Sequence, residues 1–288
     1  MKFGFVTCVQ LGLSCMEAIY EVGGTLHLAV TLQDEQARTK SGRIYLDAFC
    51  AEKGIPLLKS RNINDEAVGE ALRSAGLDWL FIVGWSQIAK ERVLAAPRLG
   101  VLGMHPTLLP EGRGRAAVPW AILKQLPRTG VTLFKLDTGV DTGDILDQVE
   151  IPVTPNATAG ELYAAVNDAH IALIKSAYPK LVEGVIEPRP QNHEAATVWE
   201  GRTPEDGRLD LEGSVWEAER LVRAVTRPYP GAFVELQDGA LVVWRATVTD
   251  TGVVPEGAIP IEFRDGILLA LEHERRDPPS VSRAAGCE

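Results

Sequence analysis

The chain has 288 residues, 45% of them hydrophobic, with a formal net charge of −10, which is enough apolar material for two packed domains. Mean hydropathy is +0.01, no apolar run approaches the roughly 18 residues of a membrane span, and the opening MKFGFVTCVQ lacks a secretory layout, so a cytoplasmic protein is expected. From Gln191 onward there are 18 Asp and Glu against 10 Arg and no Lys, a balance that argues against a nucleic-acid partner, whose phosphates attract basic surfaces.

In chain order, Lys2 to Thr7 is a short β-prone run, Gly12 to Val22 reads as a helix, and Leu26 to Leu32 as a second strand. The polar stretch Gln33 to Arg43 reads as a loop leading into a helix that runs through Lys53. Asn64 predicts the next helix start, because its short side chain can accept from first-turn amides while Asp65 and Glu66 suit the positive end of the helix dipole. Val68, Ala71, Leu72 and Ala75 then fall on one face. Trp79 to Val83 is wholly apolar, as an inner parallel strand should be. Val101 to Met104 and Val131 to Leu136 read as two further strands. The alternation predicts an α/β protein with a Rossmann-like, open, mostly parallel sheet, which binds ligands beyond the carboxyl ends of its strands.

Thr158 and Glu161 form a capping box for a helix carrying Leu162, Val166, Ala169, Leu173 and Ala177, with Pro179 bending its end and Gly184 closing it. The proline-rich Glu187 to Glu194 reads as a linker between a domain of residues 1–190 and a second of residues 191–288. After a helix from Ser214 to Val225 come Ala232 to Leu236, Ala240 to Val248, Ala258 to Phe263 and Gly266 to Leu271, short runs separated by turn residues that suggest a small β-barrel. The tail beyond Asp277 reads as frayed.

Cys8, Cys15, Cys50 and Cys287 lack metal-type or disulfide-framework spacing, and His27, His105, His170, His193 and His273 are equally dispersed, so no catalytic metal is expected. The segment Gly100 to Asp144 is the most informative: it sets His105 and Asp141 into loops beside apolar strands, the minimum kit for moving a proton near neutral pH. A nicotinamide enzyme is disfavoured, because the first turn, TCVQLGLSC, has a single glycine where a pyrophosphate-binding GxGxxG would need three.

Three runs, HPTLLPEGRGR (His105 to Arg115), VTLFKLDTGVDTGDIL (Val131 to Leu146) and VRAVTRPYPGAFV (Val222 to Val234), resemble the folate-dependent formyltransferase family. That family includes methionyl-tRNA formyltransferases and the N-formyltransferases of nucleotide-linked amino sugars. The resemblance implies the formyltransferase fold with a smaller C-terminal OB-like β domain, 10-formyltetrahydrofolate as formyl donor, and leaves a homodimer open. It assigns catalysis to His105 and Asp141. The family's asparagine, two residues before the histidine, is here Gly103, so the oxyanion donor must come from elsewhere, and Gln87 is the candidate. The folate is expected against the loop Gly84, Trp85, Ser86, Gln87 and Ile88 and the segment Leu136, Asp137, Thr138, Gly139, Val140 and Asp141. Arg113 and Arg115 are candidate substrate residues, since a guanidinium grips phosphate bidentately. Trp120 is expected in the core. The acceptor implied is a small amine, foremost a nucleotide-linked amino sugar; a methionyl-tRNA formyltransferase and a non-catalytic module of the same fold are the alternatives.

Overall fold

The computed structural model describes residues 1–37, 42–249 and 253–277; part of the Gln33 to Arg43 loop, the tail beyond Asp277 and Cys287 lie outside the described residues. The chain divides into two compact units, the first made of Met1–Ala117, Arg128–Pro152 and Tyr163–Glu200, the second of Val118–Pro127, Val153–Leu162 and Gly201 onward.

The first unit is built on seven strands: β1 (Phe3–Val6), β2 (Leu28–Leu32), β3 (Leu57–Ser60), β4 (Trp79–Ile82), β5 (Gly100–His105), β6 (Arg128–Lys135) and β7 (Ile145–Pro152). Their order is β3-β2-β1-β4-β5-β6-β7. The first five are parallel, while β6 runs antiparallel to both β5 and β7. Every residue of β1, β2, β4 and β5 is buried, as it must be in a sheet covered on both faces. Phe5 and Phe81 stack at 5.6 Å between ring centroids across neighbouring strands. Helices α1 (Gln10–Glu21), α2 (Glu66–Ala75) and α3 (Ala159–Glu183) accompany these strands. No described helix is long and apolar enough to cross a membrane.

Two strands, β3 and β7, were not among the predicted elements. Leu57–Ser60 is a four-residue edge strand whose second half is polar, and Ile145–Pro152 interleaves Asp147, Gln148 and Glu150 with its apolar residues. The expected cap at Asn64 is also corrected. Asp65 is the residue at the helix start, while Asn64 accepts from Lys90 N at 2.8 Å and donates to Ile88 O at 2.9 Å, so its amide ties two loops together. The capping box at α3 forms as expected, with Thr158 N donating to Glu161 at 2.9 Å and Glu161 N donating to the Thr158 hydroxyl at 3.3 Å. Pro179 lies inside that helix, which continues to Glu183.

Glu187 to Glu194, read as a linker, is stitched to the sheet. Arg189 and Ile145 exchange two backbone hydrogen bonds of 2.7 and 2.8 Å, and Gln191 is buried. Further on, Arg113 and Gly114 pair in parallel with Val198 and Trp199.

The second unit carries strands β8 (Ala232–Leu236), β9 (Gly239–Thr249), β10 (Ile259–Phe263) and β11 (Gly266–Arg276) in an antiparallel sheet of order β8-β9-β11-β10, with helix α4 (Val215–Val225). Ser214 caps that helix by accepting from Trp216 N. Strand β11 outruns its apolar stretch. Its last residues are charged and exposed, and pairs such as Arg245 with Glu272 at 2.7 Å replace apolar contacts across the ladder. Trp120 is half-buried, with the guanidinium of Arg202 5.0 Å and the ammonium of Lys124 5.2 Å from its ring centroid.

Candidate active site

Strand β5 delivers His105. Its register pairs Ile82 with Gly103 on one side and Thr132 with His105 on the other, so the imidazole emerges where the parallel strands end, and it is 8% exposed. Its Nε2 lies 2.7 Å from the carbonyl of Gly112. A carbonyl can only accept, so Nε2 carries the hydrogen and Nδ1 of the neutral ring is bare. That bare nitrogen faces Asp141 Oδ2 at 3.7 Å. The separation exceeds a hydrogen bond but suits an ion pair once the ring takes a proton.

The loop after His105 is tied down from below. The Thr132 hydroxyl donates to Thr107 O at 2.7 Å and accepts from Leu109 N at 3.0 Å, and the Gln148 amide donates to Leu109 O and to Thr132, each at 2.9 Å. Neither Thr132, a polar residue on the inner strand β6, nor Gln148, on the edge strand β7, was singled out from the sequence.

Asp141 sits in a half-buried turn with φ +55°, a left-handed conformation that costs a non-glycine residue roughly 1 kcal/mol or more. Its Oδ2 accepts from Gly114 N at 2.8 Å. Two residues on, Gly143 permits a close approach: a Cβ there would lie 1.7 Å from Lys135 O. The neighbouring carboxylates differ. Asp137 accepts from Gly139 N at 2.9 Å and from the Thr142 hydroxyl at 2.6 Å, closing its own turn, and Asp144 meets Lys135 N through its backbone carbonyl.

At Gly103 a Cβ would lie 2.6 Å from Leu136 Cδ2 and 3.3 Å from Phe134 Cε1, so Leu136 covers the place where a side chain would emerge. The expectation that Gln87 supplies an oxyanion donor is corrected. Its oxygen accepts from Ile63 N at 2.8 Å and its nitrogen donates to Arg61 O at 2.9 Å, so the amide braces the β3–α2 loop. Arg113 is corrected as a substrate residue for the same kind of reason. It is buried, and its Nε and Nη2 donate to Gln191 Oε1 at 3.2 and 2.7 Å, with Nη2 also 3.0 Å from His193 Nδ1. Arg115 is exposed, and its side chain has no partner among the described residues.

The loop Gly84, Trp85, Ser86, Gln87 and Ile88 follows β4. Gly84 has φ +63°, Ile88 is 67% exposed, and the buried indole N–H of Trp85 has no partner among the described residues. Leu136 packs against the same apolar cluster as Trp85, and beyond it Asp137, Thr138, Gly139 and Val140 are all exposed. His170 is buried nearby; burial above all, and next the adjacent His105, outweigh its bond to Val166 O and push its imidazole down to about 4, so it stays neutral. Among the described residues no group of three or more His, Cys, Asp or Glu can hold a metal ion.

A Rossmann-like sheet with a histidine and a carboxylate facing each other at the end of a central strand defines an enzyme fold equipped for proton transfer. Residues 26–178 match the formyl transferase family, and residues 202–277 match the formyl transferase C-terminal domain. The methionyl-tRNA formyltransferase of Agathobacter rectalis is 32% identical over 252 residues, 87% of this chain and 81% of that one. Among solved structures, an N-formyltransferase from Helicobacter canadensis, complexed with folinic acid and dTDP-3-aminofucose, has a TM-score of 0.68 at 18% identity, covering 94% of this chain and 98% of that one. The methionyl-tRNA formyltransferase from Clostridium thermocellum has a TM-score of 0.65 at 19% identity, covering 96% and 99%. The chain belongs to the folate-dependent formyltransferase family, enzymes that transfer a one-carbon formyl group.

Proposed function

We propose that the chain moves the formyl group of 10-formyltetrahydrofolate to the amine of a nucleotide-linked amino sugar, with His105 as general base and Asp141 as its electrostatic partner. The observation that carries the chemistry is the tautomer set by Gly112: Nε2 is held as a donor, so Nδ1 is left as a base beside a carboxylate. The donor supplies an electrophilic formyl carbon. As the acceptor amine forms its C–N bond it becomes an ammonium whose proton Nδ1 of His105 takes. The bond from the formyl carbon to N10 of the donor breaks as the carbonyl re-forms, and the departing N10 receives a proton back from the imidazolium, which leaves the formylated acceptor, tetrahydrofolate and a neutral His105. Asp141 stabilises the imidazolium by Coulomb attraction at 3.7 Å, in a place that water reaches poorly.

The two loops after β4 and β6 fit a flat, hydrogen-bonding heterocycle such as the folate pterin. Exposed Ile88 and Val140 offer apolar faces, and the unpartnered Trp85 N–H offers a donor. We assign the folate to Gly84–Ile88 and Leu136–Asp141 on this basis. Arg115, exposed and with its guanidinium unpaired among the described residues, is assigned to the acceptor's phosphates. The acidic stretch from Gln191 onward, with 18 Asp and Glu against 10 Arg, supports a small acceptor over a polyanion. The identity to a methionyl-tRNA formyltransferase favours initiator tRNA as the second reading. Incubation with 10-formyltetrahydrofolate, a panel of dTDP-, UDP- and GDP-amino sugars, and initiator methionyl-tRNA separates the two by which acceptor gains formyl mass. Formylation of a sugar is expected; formylation of tRNA alone overturns the sugar reading, and folate binding without any transfer overturns both.

A further inference from the structure

Gln191 stands at a junction that neither proton transfer nor substrate binding explains. It is 6% exposed, and its amide is saturated. The oxygen accepts twice from Arg113, at 2.7 and 3.2 Å, and the nitrogen donates to Asp141 O at 2.9 Å and to Gly143 O at 2.7 Å. The carboxamide therefore joins the backbone on either side of the Asp141 turn to a buried guanidinium.

The same stretch of chain holds the His105 side. Thr197 accepts from Gly112 N through its hydroxyl at 2.8 Å, and the backbones of Val198 and Trp199 pair with Arg113 and Gly114. Gly112 supplies the carbonyl that fixes the His105 tautomer, and Gly114 the amide that holds Asp141 Oδ2. One segment, Gln191 to Trp199, thus grips both loops whose spacing sets the distance from His105 Nδ1 to Asp141. The Asp141 φ of +55° lies in the left-handed region, which an aspartate tolerates better than most residues but still at a cost, so the turn gains from such a grip.

We propose that Gln191 is a positioning residue for formyl transfer: through its bonds to Asp141 O and Gly143 O, anchored on Arg113, it holds the Asp141 carboxylate toward His105. The proposal rests on the assignment of His105 and Asp141 above. Gln191 is buried with its amide fully bonded within the protein, so its removal acts on turnover rather than on binding. Displacement of a reacting group by about 1 Å can cost on the order of 10²-fold in rate.

The test uses Gln191→Met, close in volume but unable to bond, and Gln191→Glu, which keeps the Arg113 pair and loses both donors. In the ligand-free protein the His105 ring is followed by its NMR chemical shifts at one fixed pH, with Asp141→Asn as the reference for loss of the facing carboxylate. Gln191→Met is expected to move the His105 ring signals toward that reference, because the carboxylate no longer faces Nδ1. Both variants are expected to lose ~10- to 100-fold in kcat with the acceptor KM within about twofold. His105 ring shifts and a kcat that match wild type in Gln191→Met overturn the proposal. If that variant fails to fold, wild-type kcat in Gln191→Glu overturns it as well. His105→Ala distinguishes the two levels: retained transfer there sinks the catalytic assignment itself, whereas lost transfer with unaffected Gln191 variants sinks only the positioning role.

Discussion

The two sides of the candidate site are held in different ways. His105 closes a six-residue, wholly buried strand, and the carbonyl that orients its ring lies seven residues away. Asp141 lies in a half-buried turn in a left-handed conformation, held from Gly114, 27 residues away, and from Gln191, 50 residues away. A group fixed by its own strand is insulated from changes elsewhere. A group fixed by remote segments moves whenever any of them does. The imidazole is presented by its own buried strand, with its tautomer set by a loop that Thr197 also holds, whereas the carboxylate depends on remote segments alone.

The strongest way to break that contrast is to delete each member. His105→Ala is expected to lower turnover by at least ~10²-fold, since it removes the general base proposed for the step. Asp141→Asn is expected to cost less, because the tautomer is fixed by Gly112 and only the charge is lost. Steady-state kinetics on variants with native circular dichroism checks the order, and the reverse order would mean that Asp141 itself is the base.

Next in size is an acid response on the His105 side. His170, buried near His105, stays neutral down to about pH 4, whereas an exposed histidine protonates near 6.5. Between those values the unfolded chain binds the extra proton, so stability falls as pH drops from 6.5 to about 4 and levels off below. The loss from this one residue is on the order of 3 kcal/mol. Urea denaturation at stepped pH should show it, and His170→Gln should flatten the slope; an unchanged slope would place the acid lability elsewhere.

Smaller still is Gln87→Ala, expected to destabilise by about 1–2 kcal/mol through the orphaned Ile63 N–H and Arg61 carbonyl. Turnover should stay within a few-fold of wild type; a drop of ~10²-fold would return Gln87 to the chemistry. Least of all, Cys15 lies 4.0 Å from Met104 beneath the His105 strand, and burial pushes its thiol up. It should resist thiol reagents in the native state. Prompt labelling would show that the His105 side opens more easily than argued here.

What could be read from the sequence follows the same division. Strand β4 announced itself as an unbroken apolar run and β1, β2 and β5 as short, mostly apolar stretches, and His105 stood out at the end of one of them. The capping box at Thr158 was legible because both partners lie within one helical turn. Strands β3 and β7 were not, since their polar residues interrupt the pattern. Gln191, Thr132 and Gln148 were hidden for a deeper reason. Their partners are set by the meeting of segments 16 to 78 residues apart, and no local pattern records such a meeting. Arg113 and Gln87 looked available for ligands for the same reason, because long-range bonds are what occupy them.

Leu136 reaches over the bare backbone of Gly103, where a Cβ would come within 2.6 Å of it. The two residues share a single volume, so neither is free to grow while the other keeps its shape. A related chain with asparagine at the first position has to carry a smaller or differently turned residue at the second.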